Sequence, residues 1–361
     1  MPTGSSGSSS TSGASSAAGA TGTSGTPGAG GMSGAGGQQT TGGAGGMSQG
    51  GMTGGGVAGA TGGSGGGGPS GPQKTAGCGK DPGQPPGPWQ QYVVPLDGQT
   101  LGQPQTTHDS REIFVRLPAD YDANKPYRIV YIGVGCSSPN GKDSAYPLWE
   151  TSQGGDADAI YVGLSLPNPS TNNDCYDNRA GINSIEWESL DHDHAFVSDK
   201  FCIDNDKVYV SGYSSGGWIA NMFSCYFGEP PVSPPRKFLP NVALRGVMSV
   251  AGCWIDGNPM CNGPVGGIWI HDENDGGANP YSCAVEQKNR LLEQNGCTGG
   301  ASGPTEKWGE EFFNAGTCLR YTNCPAAYPV IFCTTTGRGH GSQNDNVIPS
   351  FTKFADELEA L

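Results

Sequence analysis

Lys207-Val208-Tyr209-Val210-Ser211-Gly212-Tyr213-Ser214-Ser215-Gly216-Gly217-Trp218 runs from a β-branched apolar stretch, through glycine and serine, into the helical pattern of Ile219 to Tyr226. Its centre, Gly212 to Gly216, is G-x-S-x-G in the strand–turn–helix setting that gives this pattern meaning. A serine held on so sharp a turn needs small residues two positions either side, because the strained backbone presses them against neighbouring elements. Gly212 and Gly216 supply them. In a chain with 63 glycines the pentapeptide alone is a weak signal, and a plain glycine-rich turn is the alternative. Its place between a buried strand and a helix makes Ser214 the candidate nucleophile.

Working outward, similar short runs recur. They are Ile113 to Leu117, Arg128 to Ile132, Ile160 to Leu164, Leu244 to Val250, Gly267 to Ile270 and Tyr328 to Phe332. Several are apolar at every position, as strands covered on both faces must be. Between and after them lie helix candidates near 184–199, 215–226, 281–295 and 347–361, the last with Phe351, Phe354, Leu358 and Leu361 on one stripe. Repeated strand and helix predict an α/β fold, a mainly parallel, doubly wound sheet with helices on both faces.

A serine is a poor nucleophile unless a histidine takes its proton and an acid orients that histidine. Of five histidines, His340 stands in Thr336-Gly337-Arg338-Gly339-His340-Gly341, a loop after the last strand and before the last helix, where a base belongs. His192 and His194, among Asp191 and Asp193, read as residues on the solvated face of the 184–199 helix. For the acid, three carboxylates compete in His271-Asp272-Glu273-Asn274-Asp275-Gly276-Gly277 after the Gly267 strand. Asp275 is preferred over Asp272, being further along and better able to swing toward the final loop; Glu273 comes last, and a solvated acidic turn is the alternative. An oxyanion hole needs two backbone N–H groups aimed at the developing charge. Ser215 is expected to give one, and Val134, in Gly133-Val134-Gly135-Cys136, the other. Trp218, Trp254 and Trp149 are candidates for an aromatic substrate pocket, with core packing as the alternative.

Residues 1–77 hold 30 Gly, 13 Ser, 10 Thr and 10 Ala, one charge (Lys74) and no aromatic ring. Such a segment buries too little apolar surface to offset chain entropy, so a disordered linker over 1–77 and a single folded domain over 78–361 are expected. That domain carries 18 Lys and Arg against 33 Asp and Glu. So acidic a balance argues against nucleic acid or an anionic membrane as partner, and no stretch is long and apolar enough to span a bilayer.

All 12 cysteines lie in this domain and none forms paired C-x-x-C knuckles, so no metal is expected and an oxidising, extracellular setting is. A surface-tethered lipoprotein is a variant of that expectation. Met1-Pro2-Thr3-Gly4 has neither a basic nor an apolar leader region, so an export signal is expected to have been removed or to lie upstream. Cys318 to Cys333 reads as two strands about a Pro-Ala-Ala turn, which sets Cys318 opposite Cys333 and predicts a bridge between them, bracing the strand before His340. Gly257 and Pro259 favour a turn that would pair Cys253 with Cys261.

From about residue 104 onward the chain resembles the secreted α/β-hydrolase esterases that include feruloyl esterases, acetylxylan esterases and polyhydroxybutyrate depolymerases. Phe201-Cys202-Ile203-Asp204 with Val208 to Trp218, Ala251-Gly252-Cys253, His271-x-x-x-Asp275, Tyr321-x-x-Cys324 and Gly337-x-Gly339-His340 carry the resemblance. It implies Ser214, Asp275 and His340 as a triad, in agreement with the chemical assignment. One departure is Ile132-Gly133 where the family has His-Gly, which leaves the backbone donor in place. The expectation is a monomeric serine esterase needing no cofactor. Its substrate would be an ester on polysaccharide or polyester, feruloyl esters first, because Ser184 to Trp218 looks most like the feruloyl esterases. A catalytically dead hydrolase fold that binds polysaccharide is the rival from another class.

Overall fold

Runs of residues apolar on both faces dictate a sheet buried on both sides. In the computed structural model, β3 (Tyr127–Gly133), β4 (Ala159–Leu164) and β7 (Gly266–Asp272) are buried at every position. The structure describes residues 73–101, 106–136, 158–165, 175–176, 185–226, 242, 244–253, 263–277, 279–311, 313, 316–341 and 343–361.

The other strands are β1 (Trp89–Leu101), β2 (Thr106–Arg116), β5 (Ile203–Tyr213), β6 (Leu244–Val250), β8 (Thr305–Lys307), β9 (Gly316–Tyr321) and β10 (Val330–Thr335). All ten share one sheet in the order β1-β2-β4-β3-β5-β6-β7-β10-β9-β8. The six strands from β4 to β10 in that order are parallel, and an antiparallel pair is added at each edge.

Helices α1 (Ile185–Lys200), α2 (Ser215–Tyr226), α3 (Tyr281–Gln294) and α4 (Asn344–Glu359) cover it. Alternation along the strands divides the core. Ile129, Tyr131, Val208 and Val210 meet Leu190 and Val197 of α1, Ile219 and Phe223 of α2, and Leu291 and Leu292 of α3. Val130, Ile132 and Tyr209 turn the other way, to Phe351, Phe354 and Leu358 of α4. Among the described residues no helix is long and apolar enough to cross a membrane.

The face of α1 departs from expectation. Asp193 is fully buried beside Arg111 (3.5 Å), and burial raises its pKa to about 6 against the pull of that guanidinium. His194 is buried too, bonded through Nδ1 to the Tyr131 hydroxyl (2.7 Å) and through Nε2 to Asn205 Oδ1 (3.2 Å). Desolvation lowers its pKa to about 4, so the ring is neutral near pH 7. A helix that meets the core through a polar pair hides its buried face from an apolar-stripe reading.

Five bridges join described cysteines: Cys78–Cys202, Cys136–Cys175, Cys253–Cys283, Cys297–Cys324 and Cys318–Cys333. The expected Cys318–Cys333 bridge is present. The expected Cys253–Cys261 pairing is not, because Cys253 is taken by Cys283 on the first turn of α3, with Cα atoms 5.6 Å apart. Cys261 itself lies outside the described residues.

Contacts of the folded domain begin before Cys78. Thr75 N–H donates to the Ile203 carbonyl (3.0 Å), and Gly77 N–H to the Ser198 carbonyl (2.8 Å). Described contacts with the folded domain thus reach back to Gln73, a few residues inside the segment that composition marks as linker.

Candidate active site

The turn after β5 has the predicted strain. Ser214 sits at φ 55°, in the left-handed region that side chains avoid, and its N–H is held by the Val250 carbonyl (2.9 Å). Room for this comes from glycine: a Cβ on Gly212 would run into the Gly216 backbone, and one on Gly216 into that of Gly133. The serine projects at the carboxyl end of β5, beside β3, where strand order reverses between β4 and β5. That is where open α/β sheets place their sites.

The loops after β7 and β10 meet it there. His340 Nε2 lies 2.9 Å from Ser214 Oγ, and His340 Nδ1 lies 2.9 Å from Asp275 Oδ2. A carboxylate only accepts, so Nδ1 carries the proton and Nε2 is left to take one from the serine. The Asp275 side chain is fully buried, while that of His340 is 41% exposed.

Asp272, the competing acid, faces elsewhere. Its Oδ2 accepts from Thr335 Oγ1 and from Arg338 N–H, both at 2.9 Å, and its Oδ1 from Asn274 N–H at 2.9 Å. Burial raises its pKa, but the bonds from Arg338, Asn274, Thr335 and Gly339 together outweigh this and hold the carboxyl below its ordinary value. Asp272 thus fastens the loop that carries His340.

Behind Asp275 stands buried His271, whose Nε2 is 2.9 Å from the Asn279 carbonyl and 3.2 Å from Asp275 Oδ2. Desolvation lowers its pKa, so it meets Asp275 as a neutral donor. The Asn279 side-chain oxygen accepts the Trp218 indole N–H (2.6 Å) and Cys253 N–H (3.0 Å), joining α2 to the acid loop. Trp218 is half-buried and packs against the core, with its indole N–H turned to Asn279. Trp254 and Trp149 lie outside the described residues.

Val134 is a correction. Its N–H donates to the Tyr176 hydroxyl (3.0 Å), which donates onward to the Leu164 carbonyl (2.5 Å), so it is engaged away from Ser214. Gly135 stands beside Ser214: a Cβ there would lie 3.6 Å from Ser214 Cβ. Ser215 N–H opens α2, in the first turn where N–H groups have no intrahelical acceptor.

Sequence reasoning also passed over Tyr213, the variable residue of G-x-S-x-G. Its hydroxyl donates to the His340 carbonyl, and its ring centroid is 5.4 Å from the imidazole. Burial, and then the Asp275 charge, raise its pKa, so it remains a donor. Its position inside the motif was the available signal. Among the described residues no group of three or more His, Cys, Asp or Glu side chains is arranged to hold a metal ion.

A mainly parallel, doubly covered sheet that brings a serine after β5, an aspartate after β7 and a histidine after β10 into one hydrogen-bonded row defines an α/β-hydrolase. The chain's relatives within that class are esterases. It is 26% identical over 285 residues to feruloyl esterase D of Neurospora crassa, covering 75% of this chain and 84% of that one. It is 24% identical over 271 residues to feruloyl esterase C of Emericella nidulans, covering 74% and 83%. The fold is shared with an acetyl xylan esterase from Aspergillus awamori at a TM-score of 0.53 and 13% identity, across 75% of this chain and 100% of that one. No protein-family model matches the chain.

Proposed function

We propose that this protein is an extracellular serine esterase that hydrolyses feruloyl or related phenolic esters on plant cell-wall polysaccharide. The observation that carries the reaction is the Ser214–His340–Asp275 row, with 2.9 Å at each contact. Ser214 Oγ attacks the acyl carbon as His340 Nε2 takes its proton, and Asp275 stabilises the resulting imidazolium. The oxygen that gains charge is held by Ser215 N–H and, in place of Val134, by Gly135 N–H. Collapse expels the alcohol, which takes its proton from His340. A water molecule then repeats the sequence on the acyl-enzyme and releases the acid. Feruloyl specificity rests on the relatives named above, and the setting outside the cell on the five disulfides between described residues.

The test is turnover of methyl ferulate, acetylated xylan and polyhydroxybutyrate by the protein and by Ser214→Ala. Methyl ferulate is expected to be cleaved fastest and the variant to be inactive with its fold intact. A folded Ser214→Ala that keeps more than a few per cent of the activity would move the nucleophile elsewhere, with Ser215 next in line. Binding of polysaccharide without cleavage of any ester would favour the dead-hydrolase reading.

A further inference from the structure

Tyr176 lies far from the nucleophile in sequence and is almost completely buried, yet its hydroxyl ends on the loop beside Ser214. It accepts Val134 N–H at 3.0 Å and donates its own O–H to the Leu164 carbonyl at the end of β4, so both its donor and an acceptor site are used. On the other side of Val134, the carbonyl accepts a hydrogen bond from Ser215 Oγ at 3.0 Å. Both peptide planes flanking Val134 are therefore fixed. In a trans peptide the Gly135 N–H points opposite to the Val134 carbonyl, so fixing that carbonyl on Ser215 fixes the direction of the Gly135 N–H. One residue further, Cys136 is joined to Cys175, the immediate neighbour of Tyr176, with Cα atoms 4.2 Å apart. The loop is thus clamped to Cys175-Tyr176 by a hydrogen bond and by a covalent bond two residues apart.

We infer that Tyr176 is a positioning residue for ester hydrolysis: by occupying Val134 N–H it sets the loop one residue onward, so that Gly135 N–H faces the developing oxyanion, and Cys136–Cys175 holds Tyr176 against the loop. This rests on the serine-esterase reading above. Gly135 suits the role because it brings no side chain into the space beside Ser214, where the acyl carbon must enter. A donor that helps only when it is aimed beforehand loses its effect when the loop relaxes, and the loss falls on the transition state rather than on the bound ester.

The experiment is Tyr176→Phe in the full chain, which removes one oxygen and keeps the ring. One donor in an oxyanion hole is worth about 10²- to 10³-fold in kcat, and a loop left to sample several orientations forfeits part of that. The kcat for p-nitrophenyl acetate is expected to fall about ten- to a hundredfold with KM within about twofold. Inhibition by an aryl boronic acid, which forms a tetrahedral adduct on serine, is expected to weaken by the same factor. A purely structural role would lower Tm without this parallel. A folded variant with kcat within about twofold of the parent overturns the inference, as does a loss of kcat with boronate affinity unchanged.

If Tyr176→Phe does not fold, Cys136→Ala with Cys175→Ala releases the same loop and is read by the same criteria. Labelling of Ser214 by a fluorophosphonate separates the two levels. An unaltered protein that is not labelled overturns the serine-esterase reading and this inference together. A labelled protein whose Tyr176→Phe variant turns over normally overturns the inference alone.

Discussion

Asp272 and Asp275 share one short loop, are both buried, and do different work. Asp275 touches the imidazole that contacts Ser214, whereas Asp272 accepts bonds from Thr335 and Arg338, on the stretch of chain that leads to His340. Asp275→Asn is therefore expected to lower kcat by about 10⁴-fold through the wrong histidine tautomer, with little change in Tm. Asp272→Asn is expected to lower Tm by several degrees, since buried donors left unpaired cost about 1–3 kcal/mol each, and to lower kcat far less.

The pH dependence follows from the depressed pKa of Asp272. Its stabilisation is complete above the unfolded carboxyl value, about 3.9, and is lost as pH falls through the lower folded value. The Tm gap between parent and Asp272→Asn should thus be full at pH 7 and shrink below about pH 4. Calorimetry across that range and steady-state kinetics at pH 7 check both statements, and equal kinetic losses in the two variants would show that the acid has been misplaced. At this scale the meeting of Ser214, His340 and Asp275 was legible because each follows a strand and carries a local signature. Val134 was misread because what disqualifies it is Tyr176, a partner that no local pattern reveals.

The strand pair β9 and β10 shows what an element can disclose from sequence. Equal spacing about Pro325-Ala326 sets Cys318 opposite Cys333, and the ladder pairs these two residues directly. The same local logic failed for Cys253, whose partner Cys283 is reached only once α3 has docked. Runs of β-branched residues marked the central strands. β1 was not anticipated, because Trp89–Leu101 is an edge strand whose short apolar run, Tyr92 to Leu96, contains Pro95 and is followed by a register shift between Pro95 and Gln99.

The Cys318–Cys333 bridge closes a loop of 15 residues, and such a loop contributes about 3 kcal/mol. Cys318→Ala with Cys333→Ala is expected to lower Tm by about 6–12 °C. Sequence alone suggested that the bridge also braces His340, so that activity would fall before the sheet unfolds. The structure supplies two other supports, the β7 ladder along β10 and the Asp272 bonds to Thr335 and Arg338. The kcat at 25 °C is therefore expected to stay within about twofold. A larger loss at a temperature where circular dichroism reports a folded protein would restore the bracing role.

For the whole molecule, the docked segment 73–78 and Ser214 lie at opposite ends of β5. β5 begins at Ile203 and ends at Tyr213, next to Ser214, and 11 residues of strand span about 35 Å. The segment 73–78 docks at the start of β5. Gln73 bonds to Asp204 and Asn205, Thr75 to Phe201 and Ile203, Gly77 to Ser198, and Cys78 is bridged to Cys202. Composition placed the boundary after Gly77 because small residues look alike whether or not they are docked. What docks these residues is backbone hydrogen bonding, the Thr75 hydroxyl, the Lys74 ammonium on the Asn124 carbonyl and the Cys78–Cys202 bridge, rather than a run of apolar side chains.

Two truncations separate the contributions. A chain of 73–361 is expected to match the full protein in Tm and in turnover of a soluble ester. A chain of 78–361 loses these hydrogen bonds, each worth about 0.5–1.5 kcal/mol net and partly offset by the freed chain entropy, so its Tm is expected to fall by about 5 °C. Its kcat at 25 °C should be unchanged, because the lost contacts lie a full strand length from Ser214. Equal melting temperatures for the two truncations would show that the docked segment contributes no stability. A fall in kcat with 78–361 would mean that strain at the start of β5 reaches the nucleophile turn.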